Sequence, residues 1–431
     1  GEFEEMFLEV PSEALIKTMQ DNQKYFPVKD AAGGLKNYFI TISNIDSKSP
    51  EKVKAGNERV VRPRLADAMF FWQQDQKQPL ESFNEALEKV VFQKKLGTIA
   101  DKVRRVGQLA ESVAEHLGAD LSLVSRAVTL SKCDLMTDMV GEFASLQGVM
   151  GRRYAERAGE PDEVAMALDE QYMPRGASDD TPSTTTGQIL SISDRIDTLV
   201  GIFAIGQKPT GEKDPYALRR ASLGVLRTII ERGLDLDLMV LINRSANLLM
   251  LDKGVDAEKV EQDVFDYIIE RLRAYYLDRG IMADVFDAVS ALSPSRPLDF
   301  DKRIRAVTAF REMAEAESLA AANKRVGNIL KKSAGGDMLA VDESLFAEDA
   351  EKKLYAALSD LSQTVEPMFD LGDYENALSK LSSLRAPVDE FFDTVMVMAD
   401  DEAVKNNRIA LLNTMNQLFL RAADLSRLHQ S

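Results

Sequence analysis

Strand-forming patterns are confined to the first 50 or so residues of this 431-residue chain, and everything after them carries apolar residues at helical spacing. KYFPV at 24–28 and YFITIS at 38–43 alternate aromatic and β-branched residues around the turn signal Gly33-Gly34, which predicts a hairpin. Further on, Ile99, Val103, Val106, Ala110, Val113 and Leu117 form one stripe of a helix over 97–118 that ends at Gly118. Asp120 is a good N-cap for a helix over 121–140, and Ile189, Ile192, Ile196, Leu199, Val200 and Phe203 mark another helix. Breaks are expected at 174–187, 206–215, 293–297 and 333–337, where Gly, Pro, Ser and Asp cluster. At roughly 150 residues per folding unit, the length suits about three domains. The expected fold class is therefore mainly α and multidomain, with a small partial α/β region at the N-terminus.

The residue inventory limits the chemistry. A single cysteine, Cys133, leaves no intrachain disulfide and no multi-cysteine zinc or iron–sulfur site, which fits a reducing compartment and predicts a cytoplasmic protein. Only His116 and His429 exist, so a His-pair zinc site or a Ser-His-Asp triad would have to recruit one or both of two distant residues. His116 closes a helical stripe just before Gly118, where a cation meets the helix C-terminal dipole, and His429 falls among the last three residues. GIFAIGQK at 201–208 falls short of a phosphate-binding loop, because that motif needs Gly-Lys-Ser/Thr on a turn after a strand and a helical pattern precedes it here. No apolar stretch approaches the ~20 residues that span a bilayer, so no membrane partner is expected. The chain opens at Gly1 without an initiator Met and reads as part of a longer protein.

Charge is distributed unevenly. The chain has 53 Lys plus Arg and 70 Asp plus Glu, a net of -17, which argues against non-specific binding of DNA or RNA through bulk charge. Residues 52–105 nonetheless hold 12 basic against 7 acidic residues, a net of +5, including Arg59, Arg62 and Arg64 around Pro63. That stretch is suited to phosphate or to an acidic partner, with Leu65, Met69 and Phe70 expected to pack and Lys24, beside Tyr25 and Phe26, a weaker candidate for the same surface. Residues 337–431 hold 8 basic against 18 acidic, so any RNA contact there has to read bases locally.

The segments VPSEALIKTMQDNQKYFPV (10–28), GNERVVRPRLADAMFF (56–71), LSKCDLMTDMVGEF (130–143), LQGVMG (146–151), GIFAIGQKPTGEKDPYALRRASLGVLR (201–227), AANKRVGNIL (321–330) and FFDTVMVMADDEAVKNNRIALL (391–412) follow in order along the chain. Together they resemble the β subunit of bacterial α2β2 glycyl-tRNA synthetase, without a large N-terminal portion. The resemblance implies a partial α/β domain at 1–80, the remnant of a tRNA-binding or editing type, an HD-like helical domain at 81–232, a helical linker at 233–318 and an anticodon-binding helical domain at 319–431. It also implies an α-subunit partner that holds the active site and uses ATP and Mg, a tRNA(Gly) partner, and no cofactor bound by this chain.

HD domains are named for the His-Asp metal ligands of phosphohydrolases. In this resemblance Cys133-Asp134 stands at the His-Asp position and Asp194 or Asp197 at the final Asp, while both His ligands are absent, which implies a retained fold with no metal. In GEKDPYALRR, Asp214 is expected to cap a helix with Pro215 at its first position, so that Arg219 and Arg220 either meet a phosphate or pair with a carboxylate. The C-terminal segment resembles the anticodon-binding domain shared with arginyl-tRNA synthetase. Its candidates for base edges and phosphates are Lys324, Arg325, Asn328, Asn406, Asn407 and Arg408, whereas Phe391, Phe392, Val395, Met396 and Met398 are expected to be bundle core.

Three functions compete. The first is a tRNA-binding, non-catalytic subunit of a glycine–tRNA ligase. The second is a metal-dependent HD-type nucleotide phosphohydrolase, against which the missing histidines weigh. The third is a helical scaffold with no RNA role, which the acidic balance favours.

Overall fold

The computed structural model describes all residues except 45, 212, 250–254, 334–339 and 429–431, so His429 and most of the break expected at 333–337 lie outside the described residues. The chain is mainly helical, with two small two-stranded antiparallel sheets. It divides into two compact units, one made of 1–232 with 240–265 and the other of 233–239 with 266–431. The stretch 233–318 therefore does not stand apart as a linker, because its residues are shared between the two units.

In the first unit, strands Phe26–Lys29 and Leu35–Ile40 form the expected hairpin, with Gly33 at φ +88° in its turn. Helix Pro50–Asp75 follows and buries Val61, Leu65, Ala68, Met69 and Trp72. Phe70, expected in the packed face, is instead 58% exposed, because it lies one position round from the Leu65–Met69–Trp72 stripe. A second small sheet pairs Val91–Gln93 with Gly97–Thr98 and leads into helix Ile99–Leu117. This helix opens on a capping box between Thr98 and Asp101 and ends at Gly118 in a left-handed conformation, with His116 in its last turn as expected.

Asp120 caps the next helix through the amides of Ser122 and Leu123, but that helix stops at Leu130 rather than running to 140. Hydroxyl groups compete with the helix ladder there: Ser131 Oγ donates to the Val128 carbonyl and Thr137 Oγ1 to that of Asp134. The segment becomes a 3-10 turn at Cys133–Met136 and a new short helix, Asp138–Glu142. The amides of Asp138 and Met139 donate to the buried Asp75 carboxylate.

Helix Thr185–Ala204 is buried on nearly every side, as a helix apolar all round must be. It packs on Ile99–Leu117, Asp162–Glu170 and Leu218–Glu231 and forms the axis of the unit. The last of these helices starts later than its sequence suggests. Asp214 does accept from helix amides, those of Leu218 and Arg219 at 2.8 and 3.0 Å, but Ala217 at φ +53° intervenes and Pro215 stays outside the helix.

The second unit is a bundle whose core includes Phe300, Phe310, Phe391 and Phe419, each under 2% exposed. Helix Asp349–Asp370 packs on Tyr374–Leu381, Arg385–Thr394 and Glu402–Leu420. Val395 is buried as expected, whereas Met396 and Met398 are 74% and 50% exposed. They follow the end of helix Arg385–Thr394, where the helical period used to place them no longer applies.

Candidate nucleic-acid interface and a degenerate metal centre

Helix Ala316–Ser333 presents Lys324, Arg325 and Asn328 on its exposed side, while Leu319, Asn323 and Val326 face the bundle. Arg325 is held in place: its guanidinium carbon lies 4.2 Å from the centroid of the half-buried Phe392 ring. A planar cation stacked on one side and open on the other can meet a base or a phosphate with little loss of side-chain freedom.

The other half of the expected anticodon set is not on the surface. Asn406 is exposed, but Asn407 and Arg408 are 5% and 6% exposed and serve the packing of the bundle. Asn407 exchanges two hydrogen bonds with the backbone of Asp342, accepting from its N–H at 2.8 Å and donating to its carbonyl at 2.9 Å. Arg408 donates to both oxygens of Glu351 and to the Met396 carbonyl. The reading of these two as base contacts is corrected accordingly.

In the first unit, Lys24, Arg59, Arg62, Arg64 and Arg220 are exposed and Arg219 is half-buried. Arg62 pairs with Glu4 at 2.6 Å, and Arg219 donates to the Gly211 carbonyl, a backbone group where a phosphate or carboxylate was expected. Lys24, in a left-handed conformation, closes helix Ser12–Gln23 and donates to the Asp21 carbonyl.

The positions assigned to a metal by the resemblance do something else. Cys133 is fully buried, and burial followed by the neighbouring Asp134 charge pushes its thiol up to about 12. Asp134 accepts from the amides of Gly148 at 2.5 Å and Gly151 at 3.2 Å, so its carboxylate caps helix Val149–Ala158. The two glycines of LQGVMG allow this approach. Gly148 has φ +83° and a Cβ there would meet the Tyr172 ring at 2.5 Å, while one on Gly151 would lie 3.2 Å from the Asp134 carboxyl.

Asp194 and Asp197 are held by cations of the chain itself. Lys102 Nζ spends its donors on Asp197 Oδ2 at 3.2 Å, Thr198 Oγ1 at 2.7 Å and the Asp194 carbonyl at 2.9 Å. Lys132 Nζ lies 3.1 Å from Asp194 Oδ1 and sits over the Tyr172 ring, and Arg105 Nε donates to Asp197 Oδ1 at 2.6 Å. Burial alone would raise the Asp194 carboxyl, yet the charges of Lys102 and Lys132 hold it well below the usual carboxylate range. Among the described residues no group of three or more His, Cys, Asp or Glu is placed to hold a metal ion. The donor set does not fit one, since three cationic side chains already compensate the two carboxylates. Lys102 and Lys132 were not singled out from the sequence. The available signal was that Lys102 shares the helical face of Val106, Leu109 and Val113, where an unpaired charge would not be buried.

This chain belongs to the glycyl-tRNA synthetase beta subunit family: the family model of that description matches residues 1–291, and a DALR anticodon binding domain matches 319–425. It is 55% identical over 426 residues to a protein named glycine–tRNA ligase beta subunit from Pseudomonas aeruginosa, covering 99% of this chain and 62% of that one. Proteins of the same name from Marinobacter nauticus and Vibrio parahaemolyticus are 54% and 53% identical over 431 and 430 residues, covering 99% and 100% of this chain and 62% of each. The chain thus spans less than two thirds of the length of these relatives. Among the described residues no helix is long and apolar enough to cross a membrane.

Proposed function

We propose that this chain is the tRNA-recognising part of the β subunit of a heterotetrameric glycine–tRNA ligase. In this reading a separate α subunit binds ATP and Mg and attaches glycine in the cytoplasm, while this chain binds tRNA(Gly) and carries no cofactor of its own. The observation that carries the reading is family membership over 1–291 joined to an anticodon-binding domain over 319–425. The exposed Lys324, Arg325 and Asn328 supply its local chemistry, because guanidinium and amide groups make paired hydrogen bonds with unstacked anticodon bases.

The test is a titration of labelled tRNA(Gly) with the chain, with and without the α subunit. Binding is expected, and the double variant Lys324→Ala/Arg325→Ala is expected to weaken it roughly tenfold, more for tRNA(Gly) than for a tRNA with an altered anticodon. Absence of any tRNA binding in both mixtures, or glycine-dependent pyrophosphate exchange by this chain alone, would overturn the reading.

A further inference from the structure

The N-terminal hairpin has two unlike faces. Phe26 is paired with Ile40 and Pro27 with Phe39, and side chains alternate along each strand, so Lys36, Tyr38 and Ile40 share a face with Phe26. Phe39, on the opposite face, is buried and stacks on Tyr25 with ring centroids 4.6 Å apart. The outer face is open: Phe26 is 53% exposed, Tyr38 44% and Ile40 58%. A single exposed apolar residue is ordinary, but a row of them on one sheet face marks a contact surface.

The platform is braced on several sides. Residues 1–3 run along the free edge of Leu35–Ile40, with Glu2 bridged to Tyr38 and the Phe3 amide donating to the Asn37 carbonyl. Helix Pro50–Asp75 is tied to this substructure by Tyr25 Oη donating to Asn57 Oδ1 at 2.6 Å and by the Arg62–Glu4 pair.

Charge decides between a protein and a nucleic acid as the occupant. Residues 24–64 contain nine Lys plus Arg against four Asp plus Glu, a net of +5 in a chain of net -17. Lys24, Lys29, Lys36, Arg59 and Arg64 are all exposed. Exposed rings within a cationic surround suit bases that stack while their phosphates meet the cations. Phe26 and Tyr38 are diagonal neighbours across the strand pair, roughly 7–8 Å apart, a spacing at which consecutive splayed bases can each meet one ring.

We propose that the outer face of this hairpin binds unpaired nucleotides of an RNA, with Phe26 and Tyr38 stacking on bases and Lys24 and Lys36 meeting the phosphates. The proposal rests on the tRNA-binding reading but concerns a surface separate from the anticodon-binding domain. It is tested with the 431-residue chain, a fluorescent single-stranded RNA octamer, a blunt RNA duplex and tRNA(Gly). Phe26→Thr and Tyr38→Thr keep a β-branched side chain on an exposed strand, so the thermal melt should not move. Each is expected to weaken octamer binding roughly tenfold and leave duplex binding unchanged.

If the unsubstituted chain binds tRNA(Gly) and both variants bind the octamer as tightly as it does, the inference is wrong and the tRNA-binding reading stands. If the octamer binds as expected but tRNA(Gly) does not, the reverse holds. A change in self-association or in capture of the α subunit without a change in octamer affinity would make this face a protein contact and overturn the proposal.

Discussion

Arg408 and Glu351 form a bidentate ion pair inside the C-terminal bundle, with Nε and Nη2 of the arginine 2.9 and 3.2 Å from the two carboxylate oxygens and both side chains nearly out of solvent. Glu351 also accepts from the amides of Ala347 and Glu348 and so caps helix Asp349–Asp370. One carboxylate therefore joins two helices and closes the start of one of them.

Arg408→Ala should consequently lower stability by about 3–5 kcal/mol, since it strands a buried carboxylate. Urea denaturation would show this as a fall in midpoint. At urea concentrations where the variant is still folded, tRNA affinity should be unchanged, whereas a loss confined to tRNA affinity with no change in midpoint would restore a base-reading role.

The Lys102, Lys132, Arg105, Asp194 and Asp197 network predicts that the purified chain holds no stoichiometric zinc or manganese after dialysis against either ion, read by elemental analysis. Replacing Lys102 by Met leaves two carboxylates under-compensated in the interior and should cost about 3–5 kcal/mol in chemical denaturation.

Asp134 sets a pH dependence. Burial, partly offset by the amide of Gly148, pushes its carboxyl up to about 6, above its unfolded value. The folded state then binds more protons than the unfolded one between the two values, so this group's contribution is fully present below the unfolded pKa and is lost as pH rises through about 6. Asp134→Asn should therefore gain stability relative to the unsubstituted chain between pH 4 and 7, by about 2–3 kcal/mol at the upper end. Equal pH profiles for the two proteins would contradict this.

Gly224→Ala tests how tightly the axis of the first unit is packed. A Cβ there would lie 2.4 Å from Nε of Arg195, which is buried and cannot withdraw because it donates to the carbonyls of Gln171, Tyr172 and Ser191. A loss of about 1–3 kcal/mol is expected in thermal or urea unfolding.

What the sequence determined by itself was local. The Gly33-Gly34 turn, the Asp120 cap, the Gly118 stop and the all-round apolar run of Thr185–Ala204 each depend on residues within a few positions of one another, and propensity, capping and periodicity act over that range. The ordered motif blocks carried the family in the same way. Tertiary structure decided which charges are available. Arg408 finds its carboxylate 57 residues away and Lys102 finds Asp197 at a separation of 95, so nothing in their own neighbourhoods distinguishes them from the exposed Lys324 and Arg325. The reason is energetic: a charged side chain is buried only where the fold brings a counter-charge and donors or acceptors to it, and that meeting is a property of packed helices rather than of a stretch of chain.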